Sequence, residues 1–196
     1  QIEYSGGDVS IEDLIADENV VITISHAGYI KRTNLTEYKT QNRGGVGQKS
    51  AGTRDQDFLE HMYVATNHQY MMFFTQKGKC FWMRVYEIPE GSKTAKGRAI
   101  QNLVNIESDD KVKAFICTQD LKDKDYITSH NLVMVTKLGQ VKKTSLEKYS
   151  KPRVNGVAAI TIKDDDELLE AKLTNGNSQV LIAGKSGKIV RFEEAK

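Results

Sequence analysis

The residues of this chain best suited to chemistry belong to a glycine-rich loop, Gln41-Asn42-Arg43-Gly44-Gly45-Val46-Gly47. Its glycines carry no side chains, so the backbone amides there can approach an anion closely. Its glutamine and arginine add donors, and a guanidinium can hold a phosphate through two hydrogen bonds. The predicted chemistry is phosphate binding, by a set that also includes two cations just after the loop: Gln41, Arg43, Gly44, Gly45, Gly47, Lys49 and Arg54.

A second group of cations recurs at similar places along the chain. The formal net charge is only +2, so a case for a polyanionic partner depends on where the charges lie. If the repeats lie side by side, these positions would form a basic rim that meets successive phosphates of a bent duplex. The alternative is that hairpin lysines serve solubility and protect strand edges. The candidates are Lys31, Arg32, Lys77, Lys79, Arg84, Lys93, Lys96, Arg98, Lys137, Lys142, Lys143, Lys151, Arg153, Lys185, Lys188 and Arg191.

Acidic groups occur once in each repeat and could suggest catalytic carboxylates. They are Asp55-Gln56-Asp57, Asp109-Asp110 and Asp165-Asp166, and each precedes an apolar stretch. Aspartate is favoured where a turn enters a strand because its side chain accepts hydrogen bonds from nearby backbone amides. The recurrence therefore favours turn chemistry over catalysis.

Other reactive residues indicate no metal, cofactor or small-molecule site. Cys80 and Cys117 lie in apolar runs without a neighbouring cysteine, so we expect reduced core residues. The four histidines match no metal-ligand spacing. Gly184-Lys185-Ser186 resembles the end of a nucleotide-binding loop, but Gln179 stands where that motif needs glycine and a strand follows. We expect no catalytic residue.

A repeat must position these residues. Glycines 28, 78, 139 and 187 recur at intervals of 50, 61 and 48 residues, which is the spacing of propeller blades. Each follows an apolar run, at 20–24, 70–74, 132–135 and 180–183, and precedes a second strand-like run. Each copy predicts a β-hairpin whose turn places glycine in the left-handed conformation.

The repeat predicts an all-β fold with the following organisation. Residues 1–19 form a linker end and a short strap helix over 10–18, with a capping box at Ser10 and Asp13. Blade 1 spans 20–69, blade 2 spans 70–130, blade 3 spans 131–178, and 179–196 begins a fourth. We therefore expect an incomplete disc, an open arc from a longer protein. No run reaches the roughly 20 apolar residues of a membrane span, and a cytoplasmic location is expected.

The loop resembles the diagnostic box of the C-terminal domain of the DNA gyrase A subunit, whose pattern is Gln, two basic residues, Gly-Gly, a basic residue and Gly. Five of the seven positions agree, while Asn42 and Val46 replace basic residues. The hairpins resemble the blades of that family over essentially the whole chain. The resemblance implies a β-pinwheel, a propeller-like disc whose blades exchange strands and whose rim is basic.

The resemblance also implies a function. Such a domain wraps double-stranded DNA around its rim in a right-handed sense, without sequence specificity and without catalysing a reaction. It acts within a heterotetramer of gyrase A and B subunits, where other domains supply the catalytic tyrosine, ATP and Mg²⁺. Two alternatives remain at this point. One is the related domain of the topoisomerase IV C subunit, which wraps weakly, and the other is a propeller-like module that binds acidic protein segments.

Overall fold

The structure, a computed structural model, describes residues 11–38 and 57–195. Within these ranges it is almost entirely β, as predicted, with one α-helix, α1, at Lys124–Ser129. Short 3-10 helices lie at Ile11–Leu14, Leu35–Glu37, Val85–Glu87, Ile100–Asn102 and Leu146–Tyr149. The strands are β1 Asn19–Ser25, β2 Tyr29–Asn34, β3 Leu59–Thr66, β4 Tyr70–Thr75, β5 Lys79–Arg84, β6 Arg98–Ala99, β7 Val112–Thr118, β8 Asn131–Thr136, β9 Val141–Ser145, β10 Val157–Ala158, β11 Leu168–Thr174, β12 Gln179–Ala183 and β13 Ile189–Glu193.

Four hairpins form where the sequence predicts them. They are β1–β2, β4–β5, β8–β9 and β12–β13. The turn glycines Gly28, Gly78, Gly139 and Gly187 have φ values of 82°, 82°, 91° and 80°. This left-handed conformation is costly for residues with a Cβ atom, which explains glycine at the marker position. The repeat predicted from spacing is therefore a repeat of hairpins.

Each of the first three hairpins gains a third strand from the residues that follow it. Strand β3 pairs with β1, β7 with β4 and β11 with β8, all antiparallel. Each pairing contains a register shift, at Ile24/Ser25, Phe74/Thr75 and Leu168/Glu170. The irregularity falls just before the hairpin turn in the first two repeats, and on the third strand of the sheet in the third repeat.

The fourth strand of a sheet comes from the residues after the next hairpin. Strand β6 follows the β4–β5 hairpin but pairs with β2, and β10 follows the β8–β9 hairpin but pairs with β5. The sheets therefore have the orders β3-β1-β2-β6 and β10-β5-β4-β7. The other two contain three strands, β11-β8-β9, and two strands, β12-β13, among the described residues. This is the strand exchange that the resemblance implied.

Glycine permits the exchanged strands to approach their partners. Gly97 and Gly156 precede β6 and β10 with φ values of 79° and 68°. A Cβ atom on Gly97 would lie 2.5 Å from the carbonyl oxygen of Ile30, and one on Gly156 would lie 2.8 Å from that of Cys80. A side chain at either position would collide with the backbone of the sheet that receives the strand.

The chain divides into two compact units, Gln1–Gln69 with Met83–Leu103 and Tyr70–Trp82 with Val104–Lys196. In the first, Val20, Ile22, Ile24, Ile30 and Ile100 are almost fully buried. The core of the second combines β-sheet residues with α1 side chains; it includes Met72, Phe74, Cys80, Tyr126, Leu132, Met134, Leu146, Tyr149, Ile160 and Leu168. Both cysteines are free thiols, as expected, although Cys117 is only partly buried. Burial raises the pKa of the Cys117 thiol to about 11.

The strap differs from its prediction. The described residues of 10–18 contain one 3-10 turn, and Ile11 and Leu14 are 73% and 77% exposed, so neither side chain packs into a core. Ser10 of the predicted capping box lies outside the described residues. Polar contacts fix the segment to the first unit instead. Asn67 donates to the carbonyl oxygen of Ala16 over 2.8 Å, and the Arg84 guanidinium pairs with Glu12, also at 2.8 Å.

Candidate nucleic-acid interface

The acidic groups serve the turns, as predicted. Asp57 accepts hydrogen bonds from the amides of Ala27 and Phe58, Asp110 from Lys77 and Lys111, and Asp166 from Leu138 and Glu167. In each of the first three repeats the aspartate thus joins the residue before the marker glycine to the residue that follows the aspartate. Desolvation opposes ionisation of Asp57 and Asp166, but hydrogen bonds outweigh it and lower the pKa of both carboxyls. These carboxylates therefore stabilise the turns.

The glycine-rich loop lies outside the described residues. Gln41, Arg43, Gly44, Gly45 and Gly47 therefore remain predicted phosphate ligands, and so do Lys49 and Arg54.

Two predicted DNA contacts are buried instead. Lys31 is 3% exposed, and its ammonium donates to the carbonyl oxygens of Ser92 and Lys93. Desolvation lowers the pKa of Lys31, partly offset by Glu37. Arg84 is 8% exposed and also donates to the carbonyl of His68. The expectation that Lys31 and Arg84 lie on an accessible surface is wrong, because both side chains tie segments of the first unit together.

Three more cations are partly used by the fold. The Arg32 guanidinium donates to the carbonyl of Ile88 over 2.9 Å and pairs with Glu90 at 3.2 Å. Lys143 donates to the backbone carbonyl of Glu194, and Lys142 to that of Ala159, each over 2.7 Å. These cations lie on β2 and β9, the second strands of two hairpins. Each one holds a neighbouring backbone segment through a carbonyl group.

The cations at two hairpin turns are neutralised by carboxylates. Lys77 contacts Asp109 at 2.6 Å and Glu107 at 3.2 Å, and Lys79 contacts Glu107 at 2.5 Å. Hydrogen bonds from Lys79 and Lys77 lower the pKa of Glu107, and the bond to Asp109 raises the pKa of Lys77. In the third repeat Lys137 lies 3.3 Å from Glu167. A DNA phosphate would have to compete with these acids.

Other predicted contacts remain accessible. Lys93 is half-buried and lies over the ring of Tyr38, with its ammonium 4.5 Å from the centroid. The exposed members are Lys96, Arg98, Lys142, Lys143, Lys151, Arg153, Lys185, Lys188 and Arg191.

The second unit contains a basic groove, about 770 Å³ in volume, between α1, β9 and the segment leading to β10. Tyr126 and Ile127 of α1 are buried in the core and fix the helix beside the 3-10 helix Leu146–Tyr149. Gly156 fixes the other side by its close approach to Cys80. The lining includes five exposed cations, Lys124, Lys142, Lys148, Lys151 and Arg153, which we call the groove cations.

Sequence reasoning predicted three groove cations and missed Lys124 and Lys148. Lys148 occupies the repeat position that is Glu37 in the first copy and Glu87 in the second, so the charge is reversed. Lys124 belongs to α1, in the repeat interval that is 61 residues instead of 50 or 48. The reversed charge and the longer interval are both visible when the repeats are aligned.

The described residues provide neither a membrane-spanning helix nor a metal-binding cluster. No helix there is long and apolar enough to span a membrane. Over residues 11–38 and 57–195, no group of three or more His, Cys, Asp or Glu side chains is placed to hold a metal ion.

Comparison with known proteins agrees with the strand-exchanged fold. The DNA gyrase A subunit of Salmonella typhimurium is 40% identical over 99% of this chain, and the chain spans only 22% of that relative. A solved C-terminal domain of DNA topoisomerase IV is 28% identical with a TM-score of 0.75, covering 92% of this chain and 53% of that one. A solved DNA gyrase A C-terminal domain, 23% identical over 90% of this chain and 55% of that one, shares the fold with a TM-score of 0.66.

The sequence model of one family matches three segments, residues 19–66, 69–119 and 130–175. These segments contain the first three hairpins with their third strands. That family is described as the DNA gyrase C-terminal domain, a beta-propeller, and this chain belongs to it.

Proposed function

We propose that this chain is a DNA-binding and DNA-wrapping domain of a gyrase A subunit. The observation that carries the proposal is the concentration of exposed cations in the basic groove, in a chain that belongs to the gyrase C-terminal domain family. Lysine and arginine side chains bind DNA phosphates and release condensed counterions. The relatives named as DNA gyrase A subunits favour gyrase over topoisomerase IV.

Wrapping requires binding energy to bend the duplex. Bending about 20 to 30 base pairs through 40 to 90° costs on the order of 1 to 6 kcal/mol. Repeated phosphate contacts offset this cost, and the exposed members of the predicted set would supply them. Asn42 and Val46 reduce the cations of the glycine-rich loop to one, so the other contacts gain importance. The wrap is proposed to be right-handed, as the family resemblance implies.

The contacts are proposed to be independent of base sequence. Cations aimed at phosphates position DNA but do not read its bases. The domain itself is proposed to catalyse nothing and to need no cofactor. In the complete enzyme it would work with the remaining domains of the gyrase A chain and with the gyrase B chain, and the ATP and Mg²⁺ chemistry of that enzyme would drive negative supercoiling.

Binding to duplexes of increasing length tests the proposal. Fluorescence anisotropy would measure affinity for labelled duplexes of about 20 and about 60 base pairs over a range of salt concentrations. We expect tighter binding to the longer duplex, indifference to sequence, and a log K that falls steeply with log salt. Failure to bind either duplex at low salt would defeat the proposal and favour a protein interaction module.

A further inference from the structure

The geometry points to the basic groove, where the second repeat meets the third, as the principal binding surface for the sugar-phosphate backbone of duplex DNA among the described residues. Lys124 and Lys148 are contacts of that surface. This inference rests on the proposed DNA-binding function and assigns it to one surface. It also separates that surface from the hairpin turns, where the sequence had placed Lys77, Lys79 and Lys137.

The ion pairing of the cations supports the assignment. None of the groove cations forms an ion pair with a carboxylate in the part of the chain that the structure describes, whereas Lys77, Lys79 and Lys137 all do. Glu147 is the one carboxylate among the described lining residues. A phosphate entering the groove therefore displaces water and counterions, and at the turns it must also displace an acid.

The groove lies where the end of the second repeat meets the third repeat, and each of them contributes a feature of its own. Helix α1 contributes Lys124 and is the one α-helix of the described chain. Lys148 replaces the glutamate found at the equivalent positions of the first two repeats, Glu37 and Glu87. Both features add positive charge to the same groove. A general requirement for a charged surface does not explain why the two charges lie together.

The lining favours a duplex over a nucleotide or a single strand. Binding unpaired bases depends on aromatic faces on which they stack. The one aromatic residue of the described lining, Tyr149, is 3% exposed, and its hydroxyl donates to the carbonyl of Ala159 over 3.2 Å. The groove therefore offers charge without a stacking platform, which suits the backbone of paired DNA.

A pair of charge-matched variants tests this assignment. The groove variant is Lys148→Gln with Lys151→Gln and Arg153→Gln. The control is Lys111→Gln with Lys163→Gln and Lys172→Gln, which removes the same charge from exposed positions of the same unit outside the groove. Binding of both chains to a labelled duplex is measured by anisotropy over a salt series, after circular dichroism and urea unfolding confirm that they fold.

The groove variant should reduce the slope of log K against log salt by about 0.9 for each phosphate that it no longer neutralises, and so by up to about 2.7. The control should change the slope much less. The single variant Lys148→Glu, which restores the residue type of the first two repeats, should also weaken binding and leaves the core untouched.

Equal effects of the groove variant and the control would overturn the assignment while leaving the proposed function intact, because the unaltered chain would still bind DNA. Binding of inorganic tripolyphosphate to both variants provides a further test. If the groove variant loses affinity for tripolyphosphate but binds the duplex normally, the groove is a small-anion site and the assignment is wrong. Absence of duplex binding by the unaltered chain would instead reject the proposed function itself.

Discussion

Individual carboxylates in this chain are structural, and Glu194 shows how one is held. Its side chain is fully buried and accepts hydrogen bonds from Thr174, Asn131 and the amides of Gly176 and Ser178. Its nearest cation is Lys143, at 3.8 Å. The carboxylate thereby ties the end of β11 to the residues just after β13.

Replacing Glu194 should destabilise the second unit in a pH-dependent way. Desolvation raises its pKa, but the bonds from Thr174 and Ser178 outweigh this and lower the pKa overall. The unfolded chain, with a glutamate pKa of about 4.3, then binds the proton first as pH falls. Stability from the ionised group is present above that pH and is lost as the pH falls through the folded-state pKa.

We expect Glu194→Gln to lower the free energy of unfolding by about 1.5 to 3 kcal/mol at neutral pH, the range for a hydrogen-bonded charge. The difference from the unaltered chain should disappear in acid below the folded-state pKa. Urea unfolding at several pH values measures it. The exposed neighbour Glu193 gives the control Glu193→Gln, and an equal loss in that variant would contradict the role of Glu194.

At the scale of elements, the exchanged strands depend on close backbone approach at glycine, as at Gly97 for β6 and Gly156 for β10. Gly28 and Gly97 both lie in the first unit with nearly equal φ values, 82° and 79°. A Cβ atom on Gly28 would meet nothing within 4 Å, whereas one on Gly97 would collide with Ile30. The two positions therefore separate the cost of backbone conformation from the cost of strand contact.

Both Gly28→Ala and Gly97→Ala should lower stability by about 1 to 2 kcal/mol through the left-handed conformation. Gly97→Ala should lose about 1 to 3 kcal/mol more because the added methyl group overpacks the strand contact. Urea unfolding measures the totals, and hydrogen exchange at the Ile100 amide, which bonds the carbonyl of Gly28, reports the exchanged strand. Equal losses in the two variants would show that close approach contributes nothing.

The hairpins, their turn glycines and the role of the aspartates could be predicted because they depend on local sequence. The hydrophobic alternation of a strand and the residue preferences of a turn are visible within a few neighbouring positions, as at Asp110 and Gly78. The strand exchange was expected from family resemblance alone, since β6 and β10 are two-residue strands that carry no alternating pattern. Lys31 could not be recognised as buried, because its acceptors at Ser92 and Lys93 are distant in sequence.

At the scale of the whole molecule, the proposed function implies that the distribution of paired and unpaired cations determines which surfaces attract DNA. Glu107 pairs with both Lys77 and Lys79, but Lys77 is also held by Asp109 at 2.6 Å, so removal of Glu107 should free Lys79 alone. We expect Glu107→Gln to tighten duplex binding at low salt and to steepen the salt dependence by about 0.9, because Lys79 can then bind a phosphate. Anisotropy measures both quantities.

The control for this change is Glu170→Gln, which alters the net charge equally but frees only Lys172, outside the proposed surface. If the two variants bind equally well, the gain comes from overall charge and the pairing at the hairpin turn is irrelevant to DNA binding.

Chirality of DNA wrapping is the central claim, and ligation of a nicked circular plasmid tests it most directly. The plasmid is sealed with the chain bound, the protein is removed, and the linking number is read from the topoisomer distribution. A right-handed wrap predicts a positive shift that grows with protein and is reduced in Arg43→Ala. An unchanged linking number at saturating protein would contradict wrapping.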